Sequence, residues 1–164
     1  MLTIISNEIK AAAYLYASLY GKLLKADGEI ENLGLLGTQR VTVTGVQELA
    51  EAFIGVASLA AFRWHDCGQG ATAEASGDTA MQSLAGSTVG SLRSQGSQTS
   101  GGATNIYRTV GTMSFIGTLA VTEHGIFDLG SGGNLWDRTV FAAVNVVSGD
   151  RVEFTYDLSC VAGG

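Results

Sequence analysis

The chain has 164 residues, 46% of them apolar, which is enough for one domain with a substantial core. Its nine basic residues are never adjacent and the net charge is -6, so no basic stripe is present to neutralise consecutive phosphates. We therefore expect no direct binding of nucleic acid. The start of the chain lacks a signal peptide or a membrane-spanning run, which predicts a protein made in the cytoplasm that does not enter membranes.

The first predicted element is a helix over residues 7–26, within an N-terminal helical arm of residues 1–38. Apolar side chains recur there at three- and four-residue steps, forming a wide stripe: Ile9, Ala13, Leu15, Tyr16, Leu19, Tyr20, Leu23 and Leu24. Two interpretations stay open. The stripe packs on the protein's own domain, or it docks on a neighbouring subunit.

Residues 39–164 are predicted to form a β-rich domain that begins with a short strand over 39–44. A second short helix follows, capped by Thr44 with Gln47 at its third position. Its predicted buried face contains Val46, Leu49, Ala50, Phe53 and Ile54. Residues 59–67 then alternate in the way expected of a strand.

Residues 86–104 are rich in Gly, Ser, Thr and Gln, with Val89 and Leu92 as apolar exceptions. Such a segment buries too little surface to offset its ordering entropy. We predict a long exposed loop that becomes ordered only against a partner.

The last third is strongly β in character, with predicted strands over 106–115, 118–127, 135–147 and 151–160. In the final strand, Val152, Phe154, Tyr156 and Leu158 alternate with polar residues, as in a half-buried antiparallel strand. Repeated strands with short glycine turns favour a mainly β fold. We expect an antiparallel β-sandwich or an open barrel, jelly-roll-like, with the N-terminal helix and the second short helix attached.

The residues that could carry chemistry are too sparse in the sequence to predict a catalytic or metal site. His65, Cys67 and His124 with Asp66 or Asp128 form a possible metal set, but no second paired motif supports it. Carboxylates for glycoside cleavage would come from Glu123, Asp128 and Asp137, yet acidic residues beside turns usually cap or face solvent. The two cysteines are read as reduced, with a bridge between Cys67 and Cys160 left open. We expect no enzyme activity and no cofactor.

Features that favour protein binding are the helix stripe, the Gly/Ser-rich loop and two tryptophans flanked by charged residues. Each tryptophan also fits a core position. The predicted protein-interface residues are Tyr14, Tyr16, Leu19, Tyr20, Leu23, Trp64, Val89, Leu92, Trp136 and Arg138.

Two stretches of the sequence resemble structural proteins encoded in the morphogenesis regions of tailed bacteriophages. The C-terminal stretch comprises residues 121–127, 135–138 and 141–150, with Tyr156 near its end. An upstream element over 67–72 and 77–81 is similar to the group's GxGxT and DTAL pattern. The resemblance covers roughly residues 45–162, implies a location in the virion, and implies no catalytic residues.

From these observations we expect a capsid cement (decoration) protein on the outer surface of a phage head. It would bind the major capsid protein, stabilise neighbouring subunits and associate with itself as a trimer or another symmetric oligomer. The alternative is a tail or fibre-associated protein that binds a host receptor or glycan, with the tryptophans and nearby carboxylates lining the sugar site.

Overall fold

The computed structural model describes residues 13–86, 89–90 and 93–162. Nine strands and two short helical segments follow one another along these ranges. The strands are β1 (Ala13–Leu24), β2 (Ile30–Val41), β3 (Trp64–Gly68), β4 (Ser94–Gln95), β5 (Ser97–Ser100), β6 (Ile106–Ser114), β7 (Leu119–Phe127), β8 (Leu135–Val146) and β9 (Arg151–Ala162). Between β2 and β3 lie helix α1 (Val43–Phe53) and a 3₁₀ turn (Leu59–Ala61).

All strand pairings are antiparallel and they form two sheets. The first sheet has the order β2-β1-β9-β6-β5, and the second has the order β4-β3-β7-β8-β2. Strand β2 belongs to both, because its end at Arg40 and Val41 pairs with β8 while the rest pairs with β1. At the opposite edges of the sheets, Gly96 connects β4 of the second sheet to β5 of the first. The predicted mainly β, antiparallel, sandwich-like fold is confirmed.

The core lies between the two sheets and follows the period-two alternation of the strands. In β9, Val152, Phe154, Tyr156 and Leu158 are buried while the residues between them are half-buried. Strand β9 pairs along its length with both β1 and β6, so it is a central strand of the first sheet. Each large apolar side chain buried in this way contributes about 1.5–3 kcal/mol.

The N-terminal helix prediction is wrong over residues 13–24, which form β1; residues 7–12 lie outside the described residues. Leu15, Ala17, Leu19, Gly21 and Leu23 point toward the core and alternate with more exposed residues. Twelve residue pairs join β1 to β9, from Ala13–Ala162 to Leu24–Arg151. Residues 13–38 are therefore part of the first sheet and do not form a separate helical arm.

Helix α1 confirms the second short helix but changes its cap and its buried face. The Thr42 hydroxyl accepts a hydrogen bond from Gly45 N at 3.0 Å and donates one to the Leu135 carbonyl at 2.6 Å, so Thr42 is the cap where Thr44 was predicted. The predicted buried face is wrong for Val46, Phe53 and Ile54, which are 53%, 86% and 75% exposed, and for Ala50, which is also exposed. It is confirmed only for Leu49, which is half-buried and packs against the core. Gly45 packs against the Trp136 backbone instead.

The predicted loop over 86–104 is wrong where residues 94–95 and 97–100 form β4 and β5. These strands need no apolar side chains, since backbone hydrogen bonds hold β5 to β6 from Ser97–Val110 to Ser100–Tyr107. Gly96 N also donates to the Arg63 carbonyl at 2.7 Å. The predicted strand over 59–67 begins later, at Trp64, after the 3₁₀ turn.

Candidate functional site

Half of the predicted interface residues are occupied by the protein's own packing. Leu19, Leu23, Val89, Trp136 and Arg138 are at most 8% exposed, so they are unavailable to a neighbouring subunit in this fold. Trp64 is half-buried and packs beside a small cluster of Met81, Phe127 and Leu135. Leu92 lies outside the described residues.

Three predicted interface residues do reach the surface, on the outer side of β1. Tyr14, Tyr16 and Tyr20 are 50%, 57% and 39% exposed. The rings of Tyr14 and Tyr16 lie 6.3 Å apart between centroids. Strand alternation places them there, since their neighbours Leu15, Ala17 and Leu19 point inward.

Apolar residues of the flanking strands extend this surface. Val161 of β9 pairs with Tyr14, and Leu35 of β2 pairs with Tyr20; both side chains are exposed. We define the tyrosine face as Tyr14, Tyr16, Tyr20, Leu35 and Val161.

A compensated ion pair lies beside the tyrosine face. Arg108 of β6 donates two hydrogen bonds to the Asp157 carboxylate of β9, each 2.6 Å long. The hydrogen bond to Asp157 raises the pKa of the Arg108 guanidinium, and the nearby Tyr20 hydroxyl raises this pKa further. Because the two charges offset each other, this pair opposes the burial of the neighbouring aromatic rings less than a single unpaired charge would.

A second exposed apolar surface lies at the end of α1. Phe53, Ile54 and Val56 are 86%, 75% and 71% exposed, and Val46 on the same helix is 53% exposed. We define these four residues as the helix patch. Contiguous exposed apolar side chains of this kind are typical of interaction surfaces.

The two histidines meet in the core between the sheets. His65 Nδ1 lies 3.0 Å from His124 Nε2, and His65 Nε2 lies 3.0 Å from Thr109 Oγ1. Burial lowers the pKa of His65 to about 3. Burial also lowers the pKa of His124, as does the repulsion that a protonated His65 would exert on it. Both rings are therefore neutral at neutral pH.

The hydrogen-bond pattern favours one pair of tautomers. Among the described residues His124 Nδ1 has no hydrogen-bond partner, and a buried unpaired lone pair is tolerated better than a buried unpaired N–H. His124 Nε2–H then donates to His65 Nδ1, and His65 Nε2–H donates to Thr109. The two rings are thus hydrogen-bonded to each other. The described ranges contain no cluster of three or more metal-ligating side chains.

A buried ion pair holds the segment 69–84 on the second sheet. The Glu123 carboxylate accepts hydrogen bonds from Arg138 Nε at 2.8 Å and from the backbone N–H groups of Gly70, Gln82 and Ser83 at 2.9, 3.1 and 2.7 Å. Arg138 also donates to Asp78 at 3.0 Å and to the Thr72 carbonyl at 3.1 Å. We call this group of residues the Glu123 clasp.

The clasp explains what the residues of the two resembling stretches do in this fold. Gly70, Thr72 and Asp78 come from the upstream element, whereas Glu123 and Arg138 come from the C-terminal stretch. A Cβ at Gly70 would lie 2.4 Å from the Glu123 carboxylate, so only glycine fits there. The Glu123 carboxylate and the Arg138 guanidinium are thus satisfied by partners inside the fold.

The candidate carboxylates for glycoside cleavage do not form an open site. Glu123 and Asp137 are completely buried. Asp137 accepts a hydrogen bond from the Tyr156 hydroxyl at 3.2 Å, and burial raises its pKa well above the usual range. Asp128 accepts from Asn134 N at 2.7 Å in its own loop.

The cysteines are free. Cys67 is buried in β3, whereas Cys160 is exposed in β9. Burial raises the pKa of the Cys67 thiol. The bridge between Cys67 and Cys160 that the sequence left open is therefore not formed.

Comparison with known proteins adds no functional assignment: no protein-family model, no curated protein and no solved structure matches the chain. In the part of the chain that the structure describes, no helix has the length and apolar character needed to cross a bilayer.

Proposed function

We propose that this protein is a non-enzymatic structural protein whose tyrosine face binds other protein subunits, and that it serves as a capsid cement protein on the outside of a tailed-phage head. The observation that carries the proposal is the exposed row of Tyr14, Tyr16 and Tyr20 on one strand that is paired on both sides. The virion location rests on the resemblance of the two stretches that meet in the Glu123 clasp.

Tyrosines on a sheet are well suited to protein binding. Each ring offers a large contact area and has few side-chain torsions to immobilise, and aromatic residues are enriched at the centres of interfaces. Strand β1 is held on both sides, by β2 and by β9, so the rings are presented on a backbone that is already ordered. Binding therefore costs little ordering entropy.

A cement protein must contact more than one neighbour, and this fold offers two surfaces. The tyrosine face belongs to the first sheet, whereas the helix patch belongs to α1. One surface would bind the major capsid protein, and the other would bind a second capsid subunit or another copy of this chain in a trimer or other symmetric oligomer. The net charge of -6 suits the outer side of a shell better than the side that faces DNA.

The proposal is tested on phage heads from which the protein has been stripped. Purified protein should co-sediment with these heads to a saturating ratio of hundreds of copies per particle and should restore the temperature of genome release. Heads that bind no protein, or that release the genome at an unchanged temperature after saturation, contradict the cement role.

The second candidate is a tail or fibre-associated protein that binds a host receptor or glycan. The exposed tyrosines favour it, because aromatic faces can stack on sugar rings, while the predicted tryptophan-lined sugar site is weakened by the burial of Trp136. Copy number separates the candidates. A tail protein would be present in a handful to dozens of copies per virion, and it would bind host cells rather than stripped heads.

A further inference from the structure

A cavity of about 510 Å³ opens at one end of the first sheet, beneath α1 and the 3₁₀ turn. Leu15 and Leu158 line it from β1 and β9, Leu49 from α1, and Phe62, Trp136 and Tyr156 form its aromatic floor. We propose that this cavity is a binding site for an uncharged, apolar small molecule. The inference goes beyond the proposed docking function and does not depend on it.

The floor of the cavity consists of residues that the core already orders. Phe62, Trp136 and Tyr156 are at most 3% exposed, and the Phe62 and Trp136 rings lie 5.0 Å apart. The cavity therefore reaches deeper than a surface patch. Its volume lies within the 300–1,000 Å³ range of sites for small ligands.

The polar groups of Gln98, Tyr107, Trp136 and Tyr156, which line the cavity, are already hydrogen-bonded within the protein. Trp136 Nε1 donates to the Tyr156 hydroxyl at 2.9 Å, and that hydroxyl donates to Asp137. Gln98 Nε2 donates to the Ala60 carbonyl and to the Tyr107 hydroxyl, both at 2.9 Å. These groups offer a ligand little hydrogen bonding, so affinity must come from apolar contact.

The lining also determines the charge of the ligand. Among the described residues it contains no lysine, arginine, histidine, aspartate or glutamate. Arg63 bonds to Gln98 at the rim but is not part of the lining. A charged ligand would lose its hydration without gaining an ion pair, which is unfavourable. An uncharged ligand would displace water from apolar walls, which is favourable.

The test uses the uncharged fluorescent probe N-phenylnaphthylamine with the full chain carrying Trp64→Phe, so that Trp136 is the remaining tryptophan. We expect saturable one-to-one binding accompanied by quenching of Trp136 emission. Ala60→Phe and Thr99→Phe fill the cavity from two different segments, and each should weaken binding at least tenfold. Ala142→Phe, at an exposed position of β8 outside the lining, is the matched control and should leave binding unchanged.

Competition defines the ligand class. A fatty alcohol should displace the probe better than the fatty acid of equal length at neutral pH. The proposal is overturned if the probe does not saturate, if neither filling variant weakens its binding, or if the acid competes better than the alcohol. None of these variants changes the tyrosine face. A failure of ligand binding would therefore leave the docking proposal intact, and a failure of docking would leave the ligand proposal intact.

Discussion

Glu123 and Arg138 form a completely buried ion pair, with 2.8 Å between Glu123 Oε2 and Arg138 Nε. Residues 15 positions apart on β7 and β8 thereby hold the segment 69–84, which covers the outer side of the second sheet. Removing one partner of a buried pair leaves an uncompensated charge, and this costs more than the pair itself contributes.

The first prediction follows from that relationship. Arg138→Met should lower the free energy of unfolding by about 3–5 kcal/mol, because the Glu123 carboxylate stays buried without its cation. Urea denaturation measures the change. Lys22→Met removes a cation from the partly exposed Lys22–Glu153 pair and should cost less than about 1 kcal/mol. Equal losses in the two variants would show that the clasp does not hold the fold together.

The second prediction concerns acid. The folded state keeps His65 and His124 neutral by lowering each pKa below the usual 6.5, so the unfolded chain binds more protons as the pH falls. The two histidines therefore do not lower the free energy of unfolding above pH 6.5. Below pH 6.5 they lower it progressively, until the pH reaches their folded pKa. For His65, with a folded pKa of about 3, the loss by pH 4.5 is about 2–3 kcal/mol.

This pH effect is isolated by comparison with a variant. Burial raises the pKa of Asp66 and Asp137, which favours the folded state in acid, but these carboxyls are common to both proteins. His124→Asn should therefore lose less stability than the wild type between pH 7 and pH 4.5, as followed by urea denaturation at each pH. Parallel pH profiles for the two proteins would contradict the buried-neutral assignment.

The third prediction concerns the close contact of Gly111 with His65. A Cβ on residue 111 would lie 2.4 Å from the His65 ring, between the two sheets. Gly111→Ala should therefore lower the free energy of unfolding by about 1–3 kcal/mol through overpacking. Gly77→Ala, where a Cβ meets open space, should change it by less than about 0.5 kcal/mol in the same thermal or urea experiment. A tolerated alanine at position 111 would mean that the sheets are further apart.

The fourth prediction concerns the thiols. Cys160 is exposed, whereas Cys67 is completely buried with a raised pKa, which suppresses the reactive thiolate. A thiol reagent should modify one cysteine per native chain, with the second reacting only after unfolding. Cys160→Ser should abolish the native reaction. Rapid modification of both cysteines in the native protein would contradict the buried position of Cys67 in β3.

The sequence predicted the C-terminal strands well because their two faces differ in polarity. In β9 each apolar residue alternates with a polar one, so only a period of two fits. Strand β1 is apolar on both faces, with tyrosines outside and leucines inside, and its residues fit both helical and strand spacing. Pairing with β9, whose partners lie 127 to 149 residues away in the sequence, decides between them, and no local pattern contains that information.

The site was predictable only in part. Tyr16 and Tyr20 belonged to the predicted helical stripe, whereas Tyr14 did not; the strand places all three on one face because they alternate with inward-pointing residues. Glu123 and Arg138 resembled surface charges, since nothing local indicates that a distant segment covers them. The histidine pair likewise depends on β3 and β7 being neighbours.

The central claim is that the tyrosine face binds other virion subunits. Its most direct test is the affinity of labelled protein for stripped phage heads, compared between the wild type and Tyr14→Ser with Tyr16→Ser. With about 2 kcal/mol lost at an aromatic hot spot, affinity should fall by roughly thirtyfold or more. Ile116→Ser, at an exposed apolar residue outside the face, should bind as the wild type does. An unchanged affinity in the tyrosine variant would contradict the account.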